Sequence, residues 1–271
     1  MFPERRRALL NPLFLLVSLL LVGCPRPVVN FGVDGEAHSA AELLKRVELA
    51  ESAVTSLKGE ARLGVNSPQG KGSVTLFAAV AHPGLMHLEQ LDFFGKPQGV
   101  LVTDGTRFGL YDAQAGTYFT GPASPQNLGR FLPVVMPPAE LVAVLLGRAP
   151  RLQAESPELG FDASKGVYTL ILAHGEAVQR LEVKPPENRV LKSTVVGISA
   201  YDLLFSELEL RGALTFPRRV RLEAGKAKTT VELTWKDVTL NEAPDLSMFE
   251  LEAPEGVPVV ELDAQGKPLG R

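Results

Sequence analysis

Apolar and polar residues change rhythm at Leu57. Upstream, Leu43, Val47, Ala50, Val54 and Leu57 recur at spacings of four, three, four and three, the repeat of a helix with one greasy face. Ser39 followed by Glu42 supplies a capping-box start for it. From Leu57 the repeat becomes two. Leu57, Gly59, Ala61, Leu63 and Val65 alternate with Lys58, Glu60 and Arg62, which predicts a strand with one wet side.

The same alternation continues through predicted strands at 73–81, 85–91, 99–103, 107–111 and 117–120. Turn chemistry parts them at Ser67-Pro68-Gln69-Gly70, His82-Pro83-Gly84, Asp104-Gly105 and 112–116. Connections this short favour antiparallel neighbours. Two helices are predicted next, one from Ser124-Pro125 carrying Leu128, Phe131 and Leu132, and one from Pro138 to a stop at Gly147. A second run of strands follows at 168–173, 178–183, 190–196, 203–210, 220–224 and 229–240. Several are apolar on both faces, as in Val167-Tyr168-Thr169-Leu170-Ile171-Leu172, and such strands are covered on both sides.

The first residues fit none of this. Arg5, Arg6 and Arg7 precede an apolar stretch from Leu13 to Val22, the layout of a secretory signal, and too short for the ~20 residues that cross a bilayer. The stretch ends in Leu21-Val22-Gly23-Cys24, which resembles the bacterial lipobox, and Cys24 is the sole cysteine. The expected organisation is therefore a signal peptide over 1–23, a lipidated Cys24 with a flexible tether over 24–38, and one domain over 39–271. Two or three acyl chains on Cys24 anchor stably where one would hold only marginally. Pro25 follows the cysteine in place of the aspartate that retains lipoproteins at the inner membrane, which favours the outer membrane, facing the periplasm.

Loss of the leader removes three arginines and one glutamate, so the formal net charge moves from −3 to −5. With no basic run, nucleic acid is a poor partner. The four histidines, His38, His82, His87 and His174, have no zinc-ligand spacing, and no nucleophile elbow, P-loop or dinucleotide fingerprint is present. Glu60, Glu89, Glu182, Glu207, Glu209 and Glu232 read as solvent-facing partners of Lys and Arg. Trp235 continues the apolar face of Val231 and Leu233. No enzyme activity, cofactor or metal is expected.

The chain resembles the LolA/LolB superfamily of lipoprotein carriers and acceptors. The resemblance rests on the helix leading into Leu57-Lys58-Gly59-Glu60-Ala61, on the hairpin from Val100 to Asp112, and on the closing segment from Met248 to Val257. It implies a mainly β (α+β) fold: a curved antiparallel sheet forming an incomplete barrel, closed by the N-terminal helix and the two central helices over an apolar cavity for acyl chains. Soluble carriers have an arginine before the turn proline that ties the lid shut; His82 stands there in this chain, so that device is altered or absent. The lipid anchor and the connection Leu91-Asp92-Phe93-Phe94-Gly95-Lys96-Pro97 resemble the membrane-bound acceptor instead.

Phe93 and Phe94 are then candidates for a loop tip that touches membrane or cargo, unless one of them packs back beneath the sheet. Leu88, Leu101, Phe108, Leu110, Leu170, Leu172, Val183 and Val195 are candidate cavity-lining residues that could equally be plain core. The resulting expectation is an anchored envelope lipoprotein that takes lipid or lipoprotein acyl chains, with a periplasmic LolA-type carrier among its partners, and passes them to the membrane without a covalent step. The alternative keeps the fold and makes it an accessory lipoprotein that docks a protein partner.

Overall fold

The computed structural model describes residues 28–270 apart from positions 133, 198, 199 and 251. The leader and Cys24 lie outside the described residues. Helix α1 (Ala40–Ser52) starts where the capping box places it: the Ser39 hydroxyl accepts from the Glu42 amide at 3.2 Å, and the Glu42 carboxylate accepts from the His38 amide at 2.9 Å. It ends short of the helical repeat. Val54 follows the last turn and Leu57 already belongs to β1, both still buried, because the core that the repeat faces continues beneath the chain after it has straightened.

Among the described residues fourteen strands form one sheet. The first run is β1 (Ser56–Ser67), β2 (Gly70–Ala81), β3 (Leu85–Leu91), β4 (Pro97–Thr103), β5 (Arg107–Asp112) and β6 (Thr117–Pro122). Helices α2 (Pro125–Leu128) and α3 (Pro138–Leu145) interrupt it. The second run is β7 (Glu158–Asp162), β8 (Val167–His174), β9 (Ala177–Lys184), β10 (Arg189–Val196), β11 (Tyr201–Arg211), β12 (Leu214–Ala224) and β13 (Thr229–Leu240), with β14 (Val259–Glu261) last. Sheet order is β14-β6-β5-β4-β3-β2-β1-β13-β12-β11-β10-β9-β8-β7, so two meanders meet where β1 pairs with β13. Every pairing is antiparallel except β14 on β6. The ends of the order, β14 and β7, do not pair with each other, and the curved sheet is an incomplete barrel.

Strands β7 and β14 have no counterpart in the sequence reading. Glu158-Leu159-Gly160-Phe161-Asp162 is a largely exposed edge strand whose apolar face is only the pair Leu159 and Phe161, too short to show a period, while β14 is three residues long and is recruited by the parallel edge of β6. Opposite Glu60 and Ala61, Lys236 is the extra residue of a bulge that bends β13 against β1. Gly59 is required beside it, since a Cβ there would lie 2.2 Å from the Asp237 carbonyl oxygen.

Antiparallel order assigns each turn to one of two rims. The turns after β2, β4, β7, β9 and β11 share a rim with the start of β1 and the C-terminus of α1, here called the helix rim. Those after β1, β3, β5, β8, β10 and β12 form the opposite rim. The three helices lie on the concave face, where Leu43 and Val47 of α1 and Leu141, Val142 and Leu145 of α3 join Leu76, Leu88, Leu101, Leu170 and Trp235 in one core. On the other face, a 3₁₀ turn (Leu246–Phe249) packs Phe249 against Ala79 and Val102.

Part of the segment expected as a tether is docked. Phe31 stacks on Phe161 and Tyr168 with ring centroids 5.4 and 5.7 Å away, Arg46 donates to the Gly35 and Asp34 carbonyls at 2.8 and 3.0 Å, and the Ala37 amide donates to the Tyr168 hydroxyl at 2.6 Å. These contacts lie at the β7–β8 end of the helix rim.

Candidate functional site

On the concave side of β8–β13, toward the rim opposite the helices, lies a cavity of about 840 Å³. Strands β9 to β13 supply Ala177, Gln179, Val195, Tyr201, Leu222, Ala224 and Thr229; the approach to α3 supplies Val134, Val135, Met136 and Pro137, with Glu140 from its first turn; and the segment after α3 supplies Pro150, Arg151 and Leu152. Its wall is mostly apolar. Val135 and Val196 stand exposed at the mouth.

A buried polar network shuts the other end. Gly147 stops α3 with a φ of +73°, and a Cβ there would lie 2.7 Å from the Pro217 ring. Arg189, at the start of β10, is 2% exposed and donates to the Gly147 carbonyl at 2.5 Å and the Ala50 carbonyl at 3.1 Å. Ala50 is in the last turn of α1, whose carbonyls have no partner within the helix, so the guanidinium caps it. Arg148 donates to the Val54 carbonyl, just beyond the helix. Glu51, 1% exposed, accepts from Arg151 at 2.7 Å. Burial pushes the Glu51 carboxyl above its usual range, while the charges of Arg151 and Arg189 pull it back. Gln179 completes the seal, accepting from the Leu152 amide at 2.8 Å and donating to the Pro150 carbonyl and the Ser193 hydroxyl at 2.6 and 2.8 Å.

This network ties the end of α1 to the end of α3 and the segment after it. His82 is exposed on its turn, whereas the arginine that holds the helices comes from the opposite half of the sheet. Nothing in the spacing around Arg189 marks it; only its burial does.

The candidate lining residues divide. Val195 is on the cavity wall. Leu88, Leu101, Phe108, Leu110, Leu170, Leu172 and Val183 are buried in the core beneath the helices and line no part of this cavity. Tyr201, Leu222, Ala224 and Glu140 went unnoticed in the sequence, since ordinary strand alternation and an ordinary helix start account for them.

Phe93 and Phe94 both point outward, 96% and 84% exposed, with their rings edge to face at 5.5 Å. The loop beneath them is ordered by Asp92, whose carboxylate accepts from the Phe94 and Lys96 amides at 2.8 and 2.9 Å and from the Gln98 side chain at 3.3 Å. Together the two rings make an exposed apolar tip on a braced turn. The β3–β4 turn is on the cavity's rim, and the docked N-terminal segment is on the other.

The carboxylates read as solvated partners behave so. Lys165 lies 2.8 Å from Glu182, Arg218 and Arg219 reach Glu207 at 3.1 and 3.0 Å, and Arg211 reaches Glu209 at 2.8 Å. Glu89 instead meets His87, whose other ring nitrogen bonds the Met248 carbonyl at 2.7 Å and pins the 3₁₀ turn. Trp235 is fully buried beside Phe216. Among the described residues no cluster of three acidic, histidine or cysteine side chains could hold a metal ion.

A half-barrel of two meanders, with helices on its concave face and a cavity at one rim, has counterparts among solved structures. A LolA superfamily protein from Nitrosomonas europaea superposes with a TM-score of 0.53 at 12% identity, covering 79% of this chain and 98% of its own. The chain has a LolA-like fold. The same fold is seen in a domain assigned to outer membrane lipoprotein sorting from Vibrio parahaemolyticus (TM-score 0.50, 9% identity, 77% and 95% covered). A DUF1329 family protein from Desulfovibrio piger also matches (0.55, 11%, 78% and 96%). No protein-family model matches the chain, and no curated protein matches it.

Proposed function

We propose that this protein is a membrane-anchored envelope lipoprotein that binds lipid, or the acyl chains of lipoproteins, in the cavity beneath β9–β13 and passes them to the membrane without catalysis. The observation that carries the reading is a cavity of about 840 Å³ with a mainly apolar wall, left unfilled by the described side chains. That is the size of a ligand site. Each methylene moved from water into such a space gains about 0.8 kcal/mol, so transfer needs partition alone, from a soluble LolA-type carrier to the cavity and from the cavity to a bilayer. Phe93 and Phe94 on the same rim provide the surface that meets carrier, cargo or membrane. In this proposal the anchor is Cys24, and the described residues nearest to it in sequence dock on the opposite rim through Phe31.

The experiment uses the chain from Pro25 onward, which contains the whole described core, and titrates it with a fluorescent fatty acid. Saturable binding by the wild type, lost in Ala224→Trp, where an indole enters the cavity from β12, is the expected result. Equal binding by both proteins would place the ligand elsewhere and remove the basis of the proposal.

A further inference from the structure

The polar groups on the cavity wall are unequally satisfied. Gln179 makes three hydrogen bonds, Arg151 is held by Glu51, and the Nδ1 of His174 bonds the Gln153 carbonyl at 2.8 Å. Glu140, in the first turn of α3, and Tyr201, at the start of β11, have no hydrogen-bond partner among the described residues. They are close enough for the Glu140 charge to act on the Tyr201 hydroxyl, which that charge and, above all, burial push up to about 12; burial also raises the Glu140 carboxyl. A half-buried carboxylate with no cation beside it is costly and favours any ligand that brings one. It repels phosphate and carboxylate alike. With Arg151 neutralised by Glu51, the charge left on the wall by Glu140 and the exposed Glu176 is negative.

We propose that the cavity selects amphiphiles whose head carries a protonated amine, the ammonium donating to the Glu140 carboxylate and to the Tyr201 hydroxyl oxygen while the chain lies along Val195, Leu222 and Ala224. This rests on the cavity reading above and adds the headgroup. A Glu140 that served only to complement the positive end of α3 would affect the stability of the helix and be indifferent to the ligand's head.

Calorimetric titration with two lysophospholipids of the same palmitoyl chain, one with an ethanolamine head and one with a glycerol head, separates these cases, since both carry the phosphate and only one carries the amine. The wild type should bind the ethanolamine lipid about tenfold more tightly, the scale of a charge-assisted hydrogen bond. Glu140→Gln should bring the ratio to near one while chain-dependent binding persists, and Tyr201→Phe should narrow it. Equal affinities in the wild type, or a ratio untouched by both substitutions, would overturn the headgroup assignment and leave the cavity reading standing. No binding of either lipid would count against the cavity reading itself.

Discussion

The two rims of the half-barrel are made by the same strands and closed by different means. At the helix rim, α1 lays Leu43 and Val47 on the sheet, and Arg189, Arg148 and Glu51 bind the helix end to the segment after α3. At the opposite rim, Val195, Tyr201, Leu222 and Ala224 face a cavity that, among the described residues, only the first turn of α3 and its approach reach. Apolar alternation is alike at both. What differs is the cover: α1 packs over the helix rim, where the buried Arg189 joins its last turn to the end of α3, while the cavity meets only the start of α3.

Breaking the closed rim should have the largest effect. Arg189→Ala leaves the Gly147 and Ala50 carbonyls buried without donors and is expected to lower unfolding free energy by about 3 kcal/mol, read by urea denaturation. Gly147→Ala forces a side chain into a left-handed backbone and against Pro217, with an expected cost of about 1–3 kcal/mol in the same assay. The open rim should behave in the reverse sense. Phe93→Ser with Phe94→Ser should change stability by less than about 0.5 kcal/mol, because neither ring is packed on the sheet, yet weaken sedimentation with phospholipid vesicles, since burial of each ring is worth about 1.5–3 kcal/mol.

The smallest effect is in the pH dependence. Burial holds the folded Glu51 carboxyl above its ordinary value, so its contribution to stability is fully present while it is protonated in both states and is lost as pH rises through the raised value. Glu51→Gln should flatten that decline in a series of denaturation curves from mildly acidic to neutral pH. An unchanged slope would mean that Arg151 and Arg189 offset the burial completely.

Most of the architecture was legible in the sequence. The Ser39–Glu42 cap, the turns at 82–84 and 104–106, the meander of β2–β6, the breaks at Ser124-Pro125 and Gly147, and the strands from β8 to β13 follow from periodicity and turn chemistry, which act locally. Edge strand β7 was invisible because two alternating apolar residues, Leu159 and Phe161, are too few to show a period, and β14 because three residues hold none. The end of α1 was missed because a shared core hides the switch from helix to strand at Val54.

The site was less legible for a related reason. Leu170 and Val195 carry the same strand pattern, and only the position of α1 on the helix-rim side puts one in the core and the other on a cavity wall. The docking of Phe31 on Phe161 and Tyr168 joins two stretches far apart in the chain, one of which had not been read as structured. Phe93 and Phe94 stood out, because two adjacent aromatic residues before a glycine in a turn have no strand face to share.

The central claim is that the rim opposite the helices holds apolar space for a fatty chain. Mass spectrometry of organic extracts from the chain from Pro25 onward, purified from bacterial cells without detergent beside Ala224→Trp, tests it most directly. Long-chain amphiphiles should accompany the wild type in near-stoichiometric amount and be missing from the substituted protein; a wild type that arrives empty, or extracts that match, would contradict the account.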